Sequence, residues 1–317
     1  MKVIRAKSLG YCMGVRRAVS IAEAQIGKRV YTMGPLIHNP RVLEDLQQQG
    51  VQTLETSDTS ADLHEAVVII RAHGVTPRQE RQLVEQGSRL VDATCLRVKA
   101  SQMKAKALAE SGYALFLAGE KHHGELIGIQ GYAPDCLLVE NVEEAAASAA
   151  TLYANTPAAK TALLGQTTIS VDEYSLIAQA IRRYFPNLEV IDTICGATRD
   201  RQNALKELCH LVDAIIVAGG QNSANTQRLF AIARAAGKAA WLVESAAELP
   251  DTLTAYQSIG LSAGASTPDK VIDEIEQALQ HFEVRSSRLH LVPETNATSA
   301  LQCHKPKPTL VPQTNAR

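Results

Sequence analysis

Three cysteines occupy matching places in three related segments of this 317-residue chain, and that internal repeat constrains the fold more than any other feature. Moving Val91-Asp92-Ala93-Thr94-Cys95 forward by 100 positions lays it over Ile191-Asp192-Thr193-Ile194-Cys195. The same shift carries Leu117-Ala118-Gly119 onto Val217-Ala218-Gly219, His123 onto Ser223 and Glu125 onto Asn225. A more divergent copy begins at Cys12, 83 positions before Cys95, and continues through Met33-Gly34 to His38. A second series of strand ends sets His73 after residues 67–72, Thr167 after residues 163–166 and Ser266 after residues 261–265. Three copies at these offsets predict a closed three-lobed domain rather than a solenoid. Three thiols converging on a pseudo-threefold axis would make a metal site.

Residues 3–6 read as a short strand, and residues 14–24 as a helix with Val15, Ala18, Val19 and Ala22 on one face. Cys12 lies in the turn between them, near a helix N-terminus, where the dipole and free amides lower a thiol's pKa. Cys95 and Cys195 share that context, after residues 90–91 and 190–191 and before helical stretches at 98–109 and 201–211. Strands alternating with amphipathic helices predict an α/β fold of three pseudo-symmetric lobes, a trefoil around a central site, with mainly parallel sheets. Ligands in such sheets collect at the carboxyl ends of the strands, where the candidate residues fall. The expected lobes are residues 1–95, 96–194 and 195–283, with a helix and polar connection at 141–157 inside the second. After about Glu283 the pattern fails and Pro293, Pro306, Pro308 and Pro312 appear, so residues 284–317 read as a disordered tail outside the catalytic body. Cys303-His304 within it is assigned to solvated tail.

A charged fraction of 21% and a net charge of −1 describe an ordinary globule without an electrostatic footprint for nucleic acid. An anionic substrate would have to be held by local groups. Neither a signal peptide nor a membrane span is legible, so a cytoplasmic location is expected. There, six cysteines would be reduced, metal-bound or catalytic rather than paired.

Cys136, Cys209 and Cys303 fit the common fate of free cysteine, a small buried hydrophobe. Cys12, Cys95 and Cys195 do not, because packing alone does not require a thiol at equivalent turns. Three thiolates suit an iron–sulfur cluster with one iron open to substrate; zinc is the alternative, but no fourth ligand is evident. His38, His73 and His123 each follow a strand, and with Thr167, Ser223, Asn225 and Ser266 they form a dense set of hydrogen-bond donors. The stretch Gly219-Gly220-Gln221-Asn222-Ser223-Ala224-Asn225 leads into a helix and reads as a phosphate cradle. Glu125 is the one carboxylate in this set and could donate a proton to a leaving hydroxyl; a solvated loop glutamate is the alternative. Lysine and arginine elsewhere read as a solvated surface.

Several of these motifs resemble the 4-hydroxy-3-methylbut-2-enyl diphosphate reductase (LytB/IspH) family. They include Cys12-Met13-Gly14-Val15-Arg16-Arg17-Ala18-Val19, Leu36-Ile37-His38-Asn39, Ala72-His73-Gly74-Val75 and Asp92-Ala93-Thr94-Cys95. His123-Gly124-Glu125, Gln166-Thr167-Thr168-Ile169-Ser170-Val171-Asp172, Asn222-Ser223-Ala224-Asn225 and Ala263-Gly264-Ala265-Ser266 continue the resemblance in order to about residue 280. The resemblance implies a three-lobed fold around a 4Fe–4S cluster and the last step of the methylerythritol phosphate route to isoprenoids. It implies that Cys12, Cys95 and Cys195 hold three irons and that the fourth binds the substrate hydroxyl. His38, His73, His123, Ser223, Ala224, Asn225 and Ser266 would line the diphosphate site, and Glu125 with Thr167 would relay the proton. The implied electron donor is a reduced ferredoxin or flavodoxin.

This sequence departs from the family pattern in three places. Ala224 stands where a second serine is usual, so a phosphate hydrogen bond is missing unless Thr226 or a water replaces it. Leu96 and Gly124 stand where proline is usual, which loosens two turns. Two competing readings are a non-reducing 4Fe–4S dehydratase and an iron–sulfur sensor; the sensor would leave Glu125 and the phosphate-binding residues without a task.

Overall fold

The computed structural model describes residues 1–54 and 61–289, with side chains described to residue 282. The chain opens with β1 (Lys2–Arg5), α1 (Met13–Glu23), β2 (Val30–Met33), α2 (Pro40–Gln48), β3 (Val51–Leu54), β4 (Val67–Ile70), α3 (Pro77–Glu85) and β5 (Arg89–Asp92). It continues with α4 (Leu96–Glu110), β6 (Ala114–Ala118), α5 (Gly124–Gln130), β7 (Leu137–Val139), α6 (Val142–Asn155), β8 (Thr161–Gly165), α7 (Val171–Arg182) and β9 (Glu189–Val190). It closes with α8 (Gly196–Cys209), β10 (Ala214–Ala218), α9 (Ala224–Ala235), β11 (Ala239–Val243), β12 (Ser258–Ala263) and α10 (Asp269–Leu289).

These strands form three four-stranded sheets, ordered β3-β2-β4-β5, β7-β6-β8-β9 and β11-β10-β12-β1. Every pairing is parallel, as expected for strand–helix alternation. The inner strands β4, β8 and β10 are buried at every residue, because helices cover both faces of each sheet. That is why they read as apolar runs rather than as alternating patterns. The side chains of Phe116, Leu163, Ile177 and Ile181 exemplify the result in the middle sheet, all with no exposed surface. Fully burying such residues stabilises the fold by about 1.5–3 kcal/mol each.

Written this way the sheets are equivalent strand for strand, and β1 takes the place that β5 and β9 hold in the other two. The N-terminal strand, placed with residues 1–95 by the sequence, therefore pairs with β12 of the third sheet: Lys2 with Ser258 through Arg5 with Leu261. Its backbone amide at Ala6 extends the ladder to the carbonyl of Leu261 at 2.8 Å. Arg5 ties the strand to Asp273 and Glu276 of α10. The repeat thus closes as a ring, in which the chain's first strand completes the lobe formed by its last.

The two helices that follow Cys95 and Cys195 begin immediately, at residues 96 and 196, earlier than the apolar pattern suggested. Each starts with a turn whose side chains serve the central cavity, so its periodicity is not set by packing alone. At the other end, α10 continues to Leu289, past the expected start of the tail at 284. The rest of that tail, including Cys303 and His304, lies outside the described residues. Among the described residues no helix is long and apolar enough to cross a membrane.

Candidate active site

Each cysteine stands at the N-cap of a helix. Cys12, Cys95 and Cys195 are the N-cap residues of α1, α4 and α8, and Cys12 Sγ accepts from the Val15 amide at 3.4 Å. Each is also tied by its own amide to a strand-end loop of the sheet it leaves. Cys12 donates to Ala265 O at 3.0 Å, Cys95 to Ala72 O at 2.9 Å and Cys195 to Thr167 O at 3.0 Å. These carbonyls belong to the loops that carry Ser266, His73 and Thr167. One backbone hydrogen bond per lobe therefore locks a thiol beside a polar residue, and all three thiols line one central cavity.

The cavity leaves about 740 Å³ empty, part of it open to solvent. His38, His73, His123, Glu125, Thr167, Ser223, Ala224, Asn225 and Ser266 line it together with the three thiols. These nine residues and the three thiols thus meet in one place. A Cβ at residue 14 would lie 2.7 Å from Cys95 Sγ and 3.9 Å from Cys12 Sγ, so Gly14 keeps open the space between thiols of two helices. The helix-terminus effect does not win at Cys95: burial pushes its thiol up, and the Arg97 and Val98 amides only partly oppose this. A bound metal would supply the missing charge stabilisation.

The donor set distinguishes one ion from a cluster. A single tetrahedral zinc about 2.3 Å from each sulfur would hold the sulfurs roughly 3.8 Å apart. Among the described residues the three histidines bring ligand atoms within 4.8 Å of one another, whereas the three thiols do not form such a group. Three thiols around a common cavity, with no fourth ligand grouped with them among the described residues, fit a polynuclear iron–sulfur group with one open corner.

The histidine rings pack against one another, with centroids 4.6 Å apart for His38 and His73, 5.0 Å for His73 and His123, and 5.6 Å for His38 and His123. Burial lowers the pKa of all three, and the Arg71 cation lowers them further. His123 is pushed down to about 3, chiefly by burial, then by His38 and Arg71. His123 Nδ1 accepts from the Glu125 amide at 3.1 Å, which assigns its proton to Nε2. The imidazoles are therefore neutral at pH 7 until an anion arrives. Neutral imidazoles could also hold a dication, but Arg71 opposes a cation and favours an anion at the same place.

Glu125 is 1% exposed, which rules out the solvated loop glutamate. It sits in the first turn of α5, and its two carboxylate oxygens accept from Thr167 N at 2.6 Å and from the Thr167 hydroxyl at 2.9 Å. Burial raises its pKa to about 7 against the pull of both Thr167 bonds. A carboxyl poised near neutral pH both holds and releases a proton, and the threonine hydroxyl can pass it on.

The third lobe contributes differently. Ser223 caps α9, accepting from Thr226 N at 3.4 Å, and the buried Asn225 has a side-chain NH2 without a partner among the described residues. Ser266 donates its hydroxyl to His38 O at 2.9 Å, joining the third lobe to the first. The Gly219-Gly220 turn is not part of the cradle. A Cβ at residue 220 would lie 2.7 Å from His38 O, so the turn is glycine because one lobe packs its backbone on another. Thr226 does not replace the hydroxyl that Ala224 lacks: it is fully buried beneath Gly219 and Gly264 and does not line the cavity.

Sequence reasoning missed the buried arginines. Arg201, read as surface, is 4% exposed, lines the cavity and donates to the carbonyls of Gly10 and Ala197. It clamps the turn that carries Cys12. Arg71 is partly buried with no ion-pair partner among the described residues. Arg201 falls on the buried face of α8 with Ala204, Leu205 and Leu208, a position that its helical spacing marks, whereas Arg71 follows the end of β4, where periodicity carries no signal.

Three parallel sheets arranged around a cavity with three thiols and a polar anion pocket define a class of three-lobed α/β metalloproteins. The model of the LytB protein family matches residues 3–280, and the chain belongs to that family. A 4-hydroxy-3-methylbut-2-enyl diphosphate reductase of Treponema denticola is 49% identical over 88% of this chain and 99% of its own length. One from Solidesulfovibrio magneticus is 38% identical over 89% of this chain and 100% of its own. The solved E-1-hydroxy-2-methyl-but-2-enyl-4-diphosphate reductase of Plasmodium falciparum superposes with a TM-score of 0.81 at 28% identity, covering 88% of each chain.

Proposed function

We propose that the chain reduces 4-hydroxy-3-methylbut-2-enyl diphosphate to isopentenyl and dimethylallyl diphosphate, the last step of the methylerythritol phosphate pathway. The observation that carries this reading is the buried Glu125–Thr167 pair in the same cavity as three cysteine thiols and three histidines. A binding or sensing site would not need a carboxyl held near neutrality beside an anion pocket.

Cys12, Cys95 and Cys195 would hold a 4Fe–4S cluster, which supplies single-electron transfer and an open iron acting as a Lewis acid. The reaction replaces a hydroxyl by hydrogen, consuming two electrons and two protons and releasing one water. His38, His73, His123, Ser223, Asn225 and Ser266 would grip the diphosphate, with the Asn225 NH2 and the His123 Nε2–H as directed donors. The anion's charge would raise the histidine pKa values, so that binding takes up protons. Glu125 would deliver its proton to the leaving hydroxyl through the Thr167 hydroxyl. Burial of this pair excludes water and strengthens each charge-assisted hydrogen bond. A reduced ferredoxin or flavodoxin would supply the electrons, and the reaction is assigned to the cytoplasm, where thiols stay reduced.

The test is an anaerobic assay of the iron-loaded chain with the allylic diphosphate and a strong one-electron reductant. Both C5 products should form, and only with reductant present. Product without reductant would turn the reading to a dehydratase; no turnover with a full iron and sulfide complement would remove the assignment.

A further inference from the structure

Arg71 follows β4 at the carboxyl end of the first sheet, directly before the loop that carries His73. Its guanidinium lies between two glycines from different lobes. A Cβ at residue 34 would come 2.8 Å from Arg71 Nη1, and one at residue 124 would come 2.5 Å from Nη2. Gly34, with φ of 72°, and Gly124 therefore leave the space that this side chain fills. Its Nε is buried without a hydrogen-bond partner, and among the described residues no carboxylate pairs with it. Its charge acts on the histidine trio, whose rings it renders less basic.

A cation withdrawn from water without a counter-ion is unfavourable. Gly34 is glycine for its φ of 72° as well, whereas Gly124 has no such backbone requirement and leaves room that the guanidinium fills. Gly124, read from the sequence as a loosened turn, is the gap through which the first lobe's arginine reaches the second lobe's His123.

We propose that Arg71 is a positioning residue of the diphosphate pocket, a fixed positive charge behind the neutral His38, His73 and His123 that draws the anion onto their rings. This rests on the reading of the cavity as a diphosphate site. Arg71 acts through the histidines: the charge of an arriving diphosphate lets them take up protons from solvent, and the guanidinium behind them holds the attraction before that uptake occurs. The charge is permanent because arginine stays protonated at any working pH. It also bars divalent cations from three imidazoles that could otherwise ligate one.

The test is calorimetric titration of the anaerobically purified full-length chain with inorganic diphosphate, alongside thermal unfolding without ligand. Arg71→Met should weaken binding by about thirtyfold, while Arg71→Lys stays within about fivefold of wild type. Gly124→Ala should weaken binding by at least about tenfold, because the new methyl displaces the guanidinium. Removing an uncompensated cation should leave the melting temperature of Arg71→Met equal to wild type or higher, which a structural arginine would not do. Wild-type affinity in Arg71→Met, or a weakening matched by a lower melting temperature, overturns the role of Arg71. If His123→Ala loses binding in that case, the diphosphate reading itself still stands. No binding by the wild-type chain would remove both.

Discussion

The first turns of α5 and α9 share one backbone and differ in nearly all their chemistry. Each follows a central strand through a glycine in the same left-handed conformation, φ of 144° at Gly119 and 142° at Gly219. Each is capped by the residue four positions later, His123 in one lobe and Ser223 in the other. Two residues beyond the cap, Glu125 and Asn225 are both buried. Glu125 finds Thr167, which suits it to carry a proton, while the Asn225 NH2 finds no partner among the described residues, which suits it to a ligand. The repeat supplies positions, and single residues at those positions assign the work.

Glu125→Gln should break the asymmetry most. It keeps the shape and the Thr167 contacts but carries no transferable proton, so kcat should fall by about 10²–10⁴-fold with the diphosphate affinity little changed. Stability responds to the same substitution with a definite sign. Because the folded pKa of Glu125 is raised to about 7, its contribution is fully present below the unfolded value of 4.5 and is lost as pH rises toward 7. The loss amounts to about 3 kcal/mol. Denaturation of wild type and Glu125→Gln at pH 4.5 and 7.5 should show that the variant lacks this decline. Parallel curves would mean that the carboxyl is not held neutral.

Asn225→Ala probes the other half of the comparison. It should raise KM by about ten- to a hundredfold and leave kcat nearly unchanged, as expected for the loss of a hydrogen bond to a charged group. An equal fall in kcat would place Asn225 at the reacting end instead.

The smallest effect is expected from Ala224→Ser. Ala224 is 5% exposed and lines the cavity, so a hydroxyl there adds a donor to the anion pocket. Diphosphate should bind up to about tenfold tighter. Unchanged affinity would mean that the wall at Ala224 does not face the phosphates.

Much of this site was legible in the chain. The repeat placed three thiols and eight polar or charged side chains at strand ends, and each of them lines the central cavity. That succeeded because a parallel α/β unit delivers its strand-end residues to one side, whatever their identity. The pairing of β1 with β12 was not legible, because a short strand carries no mark of its partner across more than 250 residues. Arg71 and Arg201 were read as surface for a related reason. Arginine is common on surfaces; Arg201 shares the buried face of its helix, but the glycines around Arg71 and the Gly10 carbonyl at Arg201 come from distant segments.

By itself the sequence determined the lobe count, the parallel sheets, the thiol set and the polar ring, since these follow from local periodicity and repetition. Tertiary structure decided the energies. The helix dipole alone would have lowered the Cys95 thiol, yet burial raises it; Glu125 and the histidines are shifted from their ordinary values chiefly by burial. Desolvation depends on every group that surrounds a charge, and those groups come from distant parts of the chain.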